Sequence, residues 1–348
     1  TGVFEVLPVD YNVILNAPDV KMIYHDGTRF VATLTDKQGN PIGGAAIEII
    51  INGRSYDKIT DEKGGVSLGL NLDSGIYSVV VKFKGLPNYS PITKHANVTI
   101  EPTVKGLDVV KMFRNSTQYY AIFTDSQGNF LKNKNVQFNI NGVFYTKTTN
   151  DKGIAMMGIN LNPGKYVITV INLVTGEQSS NIITVKSLIV QKDLTKYYLN
   201  ASRFQTTIYN KDGSLAVNKE VTFNINGVFY HRTTDSNGVA SLGISLRPGE
   251  YIITTMFDGL AIGNKVTVLP TLVTKNLNMK YLDGSSFTAQ TLDGQGKPLA
   301  NQNVSFNVNG VFYYKVTDNN GMAKLNIRLM PGEYTIASCW NNFRSEER

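Results

Sequence analysis

The 348-residue chain has one cysteine, Cys339, so it closes no internal disulfide and cannot build a zinc site from several thiolates. Its three histidines, His25, His95 and His231, sit at unrelated positions, with no His-x-x-x-His spacing. Zinc hydrolase chemistry therefore has no ligand set. Proline is scarce at 11 residues, which excludes a Pro-rich linker, and the 31 glycines follow no collagen period. No apolar run approaches the ~20 residues that cross a bilayer. No charged-then-apolar leader opens the chain, so an exported protein would stand here in mature or excised form. A Gly-x-Ser-x-Gly elbow, a phosphate loop and a Gly-x-Gly-x-x-Gly turn are all missing. The sequence thus predicts no catalytic residue, no metal ligand and no cofactor.

What is present points elsewhere. The net charge is +7, but Lys and Arg form no run of five, so a solvated surface is expected rather than a nucleic-acid site. Hydrophobic residues make up 42%, enough to bury cores, and the 18 Tyr with abundant Asn and Thr suit extracellular β structure.

One unit recurs four times. Asn141-Gly142-Val143-Phe144-Tyr145 returns as Asn226-Gly227-Val228-Phe229-Tyr230 and as Asn309-Gly310-Val311-Phe312-Tyr313. A diverged first copy reads Asn52-Gly53-Arg54-Ser55-Tyr56, and the four glycines are 89, 85 and 83 residues apart. A period near 85 is too long for a solenoid unit and suits a small β domain. Asp-x-x-Gly turns recur in phase at Asp36, Asp125 and Asp293, with Asn210-Lys211-Asp212-Gly213 in the third copy. A second turn recurs at Asp61, Asn150, Asp235 and Asp318.

Within each unit the apolar period is two. Val136, Phe138 and Ile140 alternate with Gln137 and Asn139, as do Val221, Phe223 and Ile225, and Val304, Phe306 and Val308 with their own polar neighbours. This is a strand with one buried face. Asn-Gly then supplies the two φ > 0 residues of a type I′ hairpin turn. About seven strands are expected per unit, the first of the second copy at 107–113. Seven short strands fit an immunoglobulin-like β-sandwich. Tyr77, Tyr166, Tyr251 and Tyr334, each two residues after Gly, match the structural tyrosine corner whose hydroxyl bonds nearby backbone.

The succession of Asp-x-x-Gly, apolar strand, Asn-Gly-Val-Phe-Tyr, Thr-Asp-x-x-Gly and Leu-x-Pro-Gly-x-Tyr resembles the Ig-like repeats of adhesin-like surface proteins of methanogenic archaea. The first copy departs from it with Arg54-Ser55 for Val-Phe and Ser74 for Pro. The resemblance implies an extracellular, cell-surface attachment or stalk role and carries no catalytic residue.

The expected organisation is an amino-terminal strand over residues 1–14, then all-β Ig-like repeats over 15–102, 103–187, 188–270 and 271–348. Short junctions without Gly/Ser tracts predict an elongated rod. The fourth repeat stops before its final strand, and Val3, Phe4 and Val6 carry the apolar content of such a strand, with Leu7-Pro8 matching Leu269-Pro270. Either the sequence is a window on a longer array, or one subunit donates that strand to the fourth repeat of the next, making a filament.

Other candidates follow from residue type. Asn88, Asn97, Asn115, Asn200 and Asn303 open Asn-x-Ser/Thr sequons. Asn115 and Asn200 share one turn, expected to be exposed, and are the leading glycosylation candidates. The Asp turns offer too few carboxylates for calcium and read as ordinary caps. Glu48 lies on the polar phase of its strand, so it faces solvent rather than a buried isopeptide site. Phe144, Phe229 and Phe312 point away from the core face. The sandwich either curls and buries them, which is the expected outcome, or leaves a contact stripe. The sequence reading is a non-enzymatic adhesin or surface fibre whose partners are copies of itself or a cell-surface protein or glycan, with no nucleic acid. A strand-donating filament subunit and a carbohydrate-binding array are the alternatives, the latter weakened because Trp340 is the sole tryptophan.

Overall fold

A computed structural model describes residues 12–341 together with the backbone of 343 and 344. The first repeat runs β1 (Val13–Asn16), β2 (Val20–Ile23), β3 (Arg29–Asp36), β4 (Ala46–Ile51), β5 (Arg54–Ile59), β6 (Gly65–Gly69), β7 (Gly75–Phe83) and β8 (Ile92–Glu101). A three-stranded sheet, β1-β3-β6, backs a five-stranded one, β2-β8-β7-β4-β5. Pairing is antiparallel except where β2 lies parallel to β8. The second and third repeats repeat both sheets strand for strand. The chain divides into two compact units, Thr1–Lys186 with the first two repeats and Ser187–Arg348 with the last two.

The expected sandwich is present, with eight strands rather than seven in the first three repeats. The predicted first strand at 107–113 is Val109–Met112 of the larger sheet, and a further strand, Val104–Gly106 of the smaller sheet, precedes it. An aspartate marks each switch. Asp19 accepts the amide of Asn97, Asp108 that of Ile182 and Asp193 that of Lys265, at 2.7 to 2.9 Å. In the fourth repeat the position is Asn276 and 275–285 form no strand. Its larger sheet has four strands among the described residues. Val13 and Ile14 pair with Asp36 and Thr35, so they belong to the first repeat's own sheet and not to the amino-terminal segment 1–14.

The period-two pattern becomes burial. Val136, Phe138, Val221, Phe223, Val304 and Phe306 are fully buried. An edge-to-face aromatic pair recurs between the sheets as Tyr119–Phe138, Phe204–Phe223 and Phe287–Phe306, with centroids 5.9 to 6.0 Å apart. Such a pair adds roughly 0.5–1.5 kcal/mol beyond its buried area. The Asn-Gly hairpins form as the sequence requires, with φ 53° at Asn141 and 78° at Gly142.

The Asp turns are closed by their own backbone. Asp125 Oδ1 accepts the amides of Gln127 and Asn129, and Asp318 Oδ1 those of Asn320 and Met322. The side-chain bond from Asn40 holds the Asp36 carboxyl below its usual range, while the Met322 and Asn320 amides do so at Asp318.

Candidate interaction surface

Among the described residues, each larger sheet ends in a strand with one free edge: Arg54–Ile59, Val143–Thr148, Val228–Thr233 and Val311–Val316. A three-stranded sheet cannot cover a five-stranded one, so these outer strands overhang it and are open on both faces. Phe144 pairs with Asn139, Phe229 with Asn224 and Phe312 with Asn307, all on the outer face. The three phenylalanines are 57, 58 and 58% exposed, which corrects the expectation that the sandwich would curl and bury them. Val143, Val228 and Val311 sit on the inner phase yet are also about half exposed. The same strand in the first repeat presents Arg54, Ser55 and Asp57 instead. The apolar edge is therefore a property of three repeats, superimposed on a shared scaffold.

The edges carry positive charge. Lys147, Arg232 and Lys315 lie on them, and the Arg232 guanidinium is 5.9 Å from the Tyr230 ring centroid. His231 stands 3.4 Å from Glu220. Glu48, on the outer face of the first repeat, accepts a bond from Ser55 at 2.8 Å and faces Lys82 at 3.8 Å.

The corner tyrosines make one recurring contact. Tyr77, Tyr166, Tyr251 and Tyr334 donate to the carbonyls of Asp73, Asn162, Arg247 and Met330, four residues back, at 2.8 to 2.9 Å. Desolvation and then the charge of Asp73 raise the Tyr77 phenol.

The sequons rank differently from the sequence expectation. Asn88, Asn97 and Asn303 are exposed, whereas Asn115 and Asn200 are half buried. Asn115 Oδ1 caps Thr117, and the Asn200 amide nitrogen donates to the Gly294 carbonyl of the following repeat. At Asn200, tertiary contact thus occupies the nitrogen a glycan would need. Val3, Phe4 and Val6 lie outside the described residues.

Several buried polar groups went unseen in the sequence. Lys111 Nζ donates to the carbonyls of Asn115, Thr117 and Ile159, and Lys196 Nζ to those of Ser202 and Ile244. Desolvation lowers both ammonium groups. The first repeat has buried Met22 at this position, so the inward phase was the available signal. Buried Tyr119, where other repeats use Phe30, Phe204 and Phe287, donates to Asn181, and burial pushes its phenol up to about 12. Glu177 accepts both the amide and hydroxyl of Thr103.

The best-formed depressions are shallow and lie around Asn210–Asp212 and Phe257–Ala261 of the third repeat. No three His, Cys, Asp or Glu side chains converge among the described residues. Nor is any helix there long and apolar enough to cross a membrane.

No family model matches the chain. It is 21% identical, over 98% of its length, to the inverse autotransporter adhesin YeeJ of Escherichia coli K12, and it spans about 17% of that protein. Solved structures similar to it include a calcium-stabilised ice-binding adhesin of an Antarctic bacterium, at 15% identity and TM-score 0.20, covering 94% of this chain and 97% of that one. Bacterial invasin, an integrin-binding protein, matches at 13% and 0.23, covering 95 and 77%. The I9–I11 tandem of titin matches at 13% and 0.26, covering 74 and 99%. At such scores the fold rests on the strand pairing above, and the chain is similar in sequence to an adhesin without a family model to place it.

Proposed function

We propose that the chain is a non-enzymatic part of an extracellular, cell-surface adhesin, in which tandem Ig-like sandwiches carry or extend an attachment surface. The observation that carries this reading is the likeness to an adhesin along almost the whole chain. Two features support it. The sandwiches bury small apolar cores behind turns whose polar groups are used in capping, and three of them present apolar Val-Phe-Tyr edges to solvent. Such edges mark contact surfaces. Placement on a methanogenic archaeal surface rests on the turn and strand motifs, and glycosylation rests on the exposed Asn88, Asn97 and Asn303. The test is display of the chain on a non-adherent bacterium. Cells carrying it should resist detachment under flow on bare or mucin-coated glass more than cells without it. Equal detachment on both surfaces would refute the role.

A further inference from the structure

We propose that the free edge strands of the second, third and fourth repeats pair with the same strands of a second copy of the chain, antiparallel and edge to edge. Backbone geometry comes first. Ile140 and Val143 flank a two-residue turn and face each other, so they form a hydrogen-bonded pair. Val143, Tyr145 and Lys147 therefore direct their amides and carbonyls inward, to the strand Asn135–Ile140. Phe144, Thr146 and Thr148 direct theirs outward. An antiparallel neighbour must set its own outward residues opposite these.

A two-fold axis on Thr146 meets that rule. It places Phe144 opposite Thr148 and Tyr145 opposite Lys147. In the third repeat the axis falls on His231, with Phe229 opposite Thr233 and Tyr230 opposite Arg232. In the fourth it falls on Tyr314, with Phe312 opposite Val316 and Tyr313 opposite Lys315. Each edge is thus complementary to itself. A phenol ring meets a cation across the strands, the arrangement in which cation–π attraction operates. The Arg232 guanidinium already lies beside the Tyr230 ring on one strand. No two Lys, Arg, Asp or Glu of like sign fall opposite each other. The first repeat provides the contrast: Ser55 replaces the phenylalanine, and the axis falls on Asp57, which would oppose its own copy. Like charges directly opposite are destabilising. Charge pattern and apolar pattern therefore select the same three repeats.

One six-residue edge buries less than the ~1,000 Å² of a stable interface, so each contact is weak and reversible. The interface is isologous, unlike a donated strand.

The test uses the full chain. Sedimentation velocity should show mass rising with concentration. Thr146→Pro, His231→Pro and Tyr314→Pro together remove the outward amide on each axis, where an edge strand tolerates proline. This variant should stay monomeric with unchanged melting. Register is read separately on a Cys339→Ser background. Residues facing across a hydrogen-bonded antiparallel pair have Cα atoms about 5.5 Å apart, within disulfide reach. Thr146→Cys should crosslink to itself at least tenfold faster than Thr148→Cys. A wild-type chain that is monomeric at every concentration, such as one whose edge serves another protein's peptide, would overturn the proposal. So would undiminished association in a folded triple-proline variant, or equal crosslinking at 146 and 148.

Discussion

Thr255 offers a direct check on the packing account. It sits on Gly249–Phe257, is fully buried, and its hydroxyl has no hydrogen-bond partner. Its place across from Phe223 is that of Val170 across from Phe138 and of Val81 across from Ile49. Both valines are fully buried too. The scaffold thus accepts a methyl where the third repeat holds an orphaned hydroxyl. Thr255→Val changes almost no volume, so no cavity term enters. What changes is the desolvation penalty of an unsatisfied group, about 1–3 kcal/mol. At tenfold per 1.4 kcal/mol, the slowest amides of 249–257 should exchange roughly 5- to 150-fold more slowly. Hydrogen exchange by mass spectrometry reads this in the intact chain, repeat by repeat. The reciprocal Val170→Thr should speed exchange in the second repeat by a similar factor. Unchanged or faster exchange in Thr255→Val would refute the reasoning, because the hydroxyl would then have a compensating partner.

Other outcomes follow from the same geometry. Tyr166→Phe removes the bond to the Asn162 carbonyl and should lower local stability by about 1 kcal/mol, seen as faster exchange confined to the second repeat. Gly153→Ala should destabilise more, by roughly 1–3 kcal/mol in a denaturant titration, since Gly153 has φ +69° and a Cβ would lie 2.5 Å from the Phe123 carbonyl. Acid should loosen the turns. The folded carboxyls of Asp36 and Asp318 are lowered, against about 3.9 in the unfolded chain, so their contribution is complete above pH 4 and is lost as pH falls through the lowered values. Circular dichroism along an acid titration should show the loss below pH 4 and none between pH 5 and 8.

Legibility differed between elements for physical reasons. The strand Asn135–Ile140 and its hairpin were readable because alternation and Asn-Gly are local signals. The extra strand Val104–Gly106 ahead of Val109–Met112 was not, since the two are three and four residues long and the switch between sheets depends on Asp108 reaching Ile182. Exposure of Phe144 was undecidable from the strand itself: its phase turns it away from the facing sheet, and whether anything else covers that outer face is a matter of tertiary packing. Burial of Lys111 shows in the sequence only as its inward phase, because its partners are carbonyls, which have no sequence signature. Asn200 read as an open sequon because its contact, Gly294, is 94 residues away.

The proposal that the apolar edges of these sandwiches are contact surfaces meets its sharpest test inside the molecule. The first repeat supplies the control, Arg54-Ser55, on the same scaffold. Installing Arg-Ser at Val143-Phe144, Val228-Phe229 and Val311-Phe312 alters only exposed side chains. Displayed at equal density on a non-adherent bacterium, the wild-type chain and this variant should unfold alike, and the variant should lose most of its retention under flow. Retention equal to wild type in the folded variant would contradict the account.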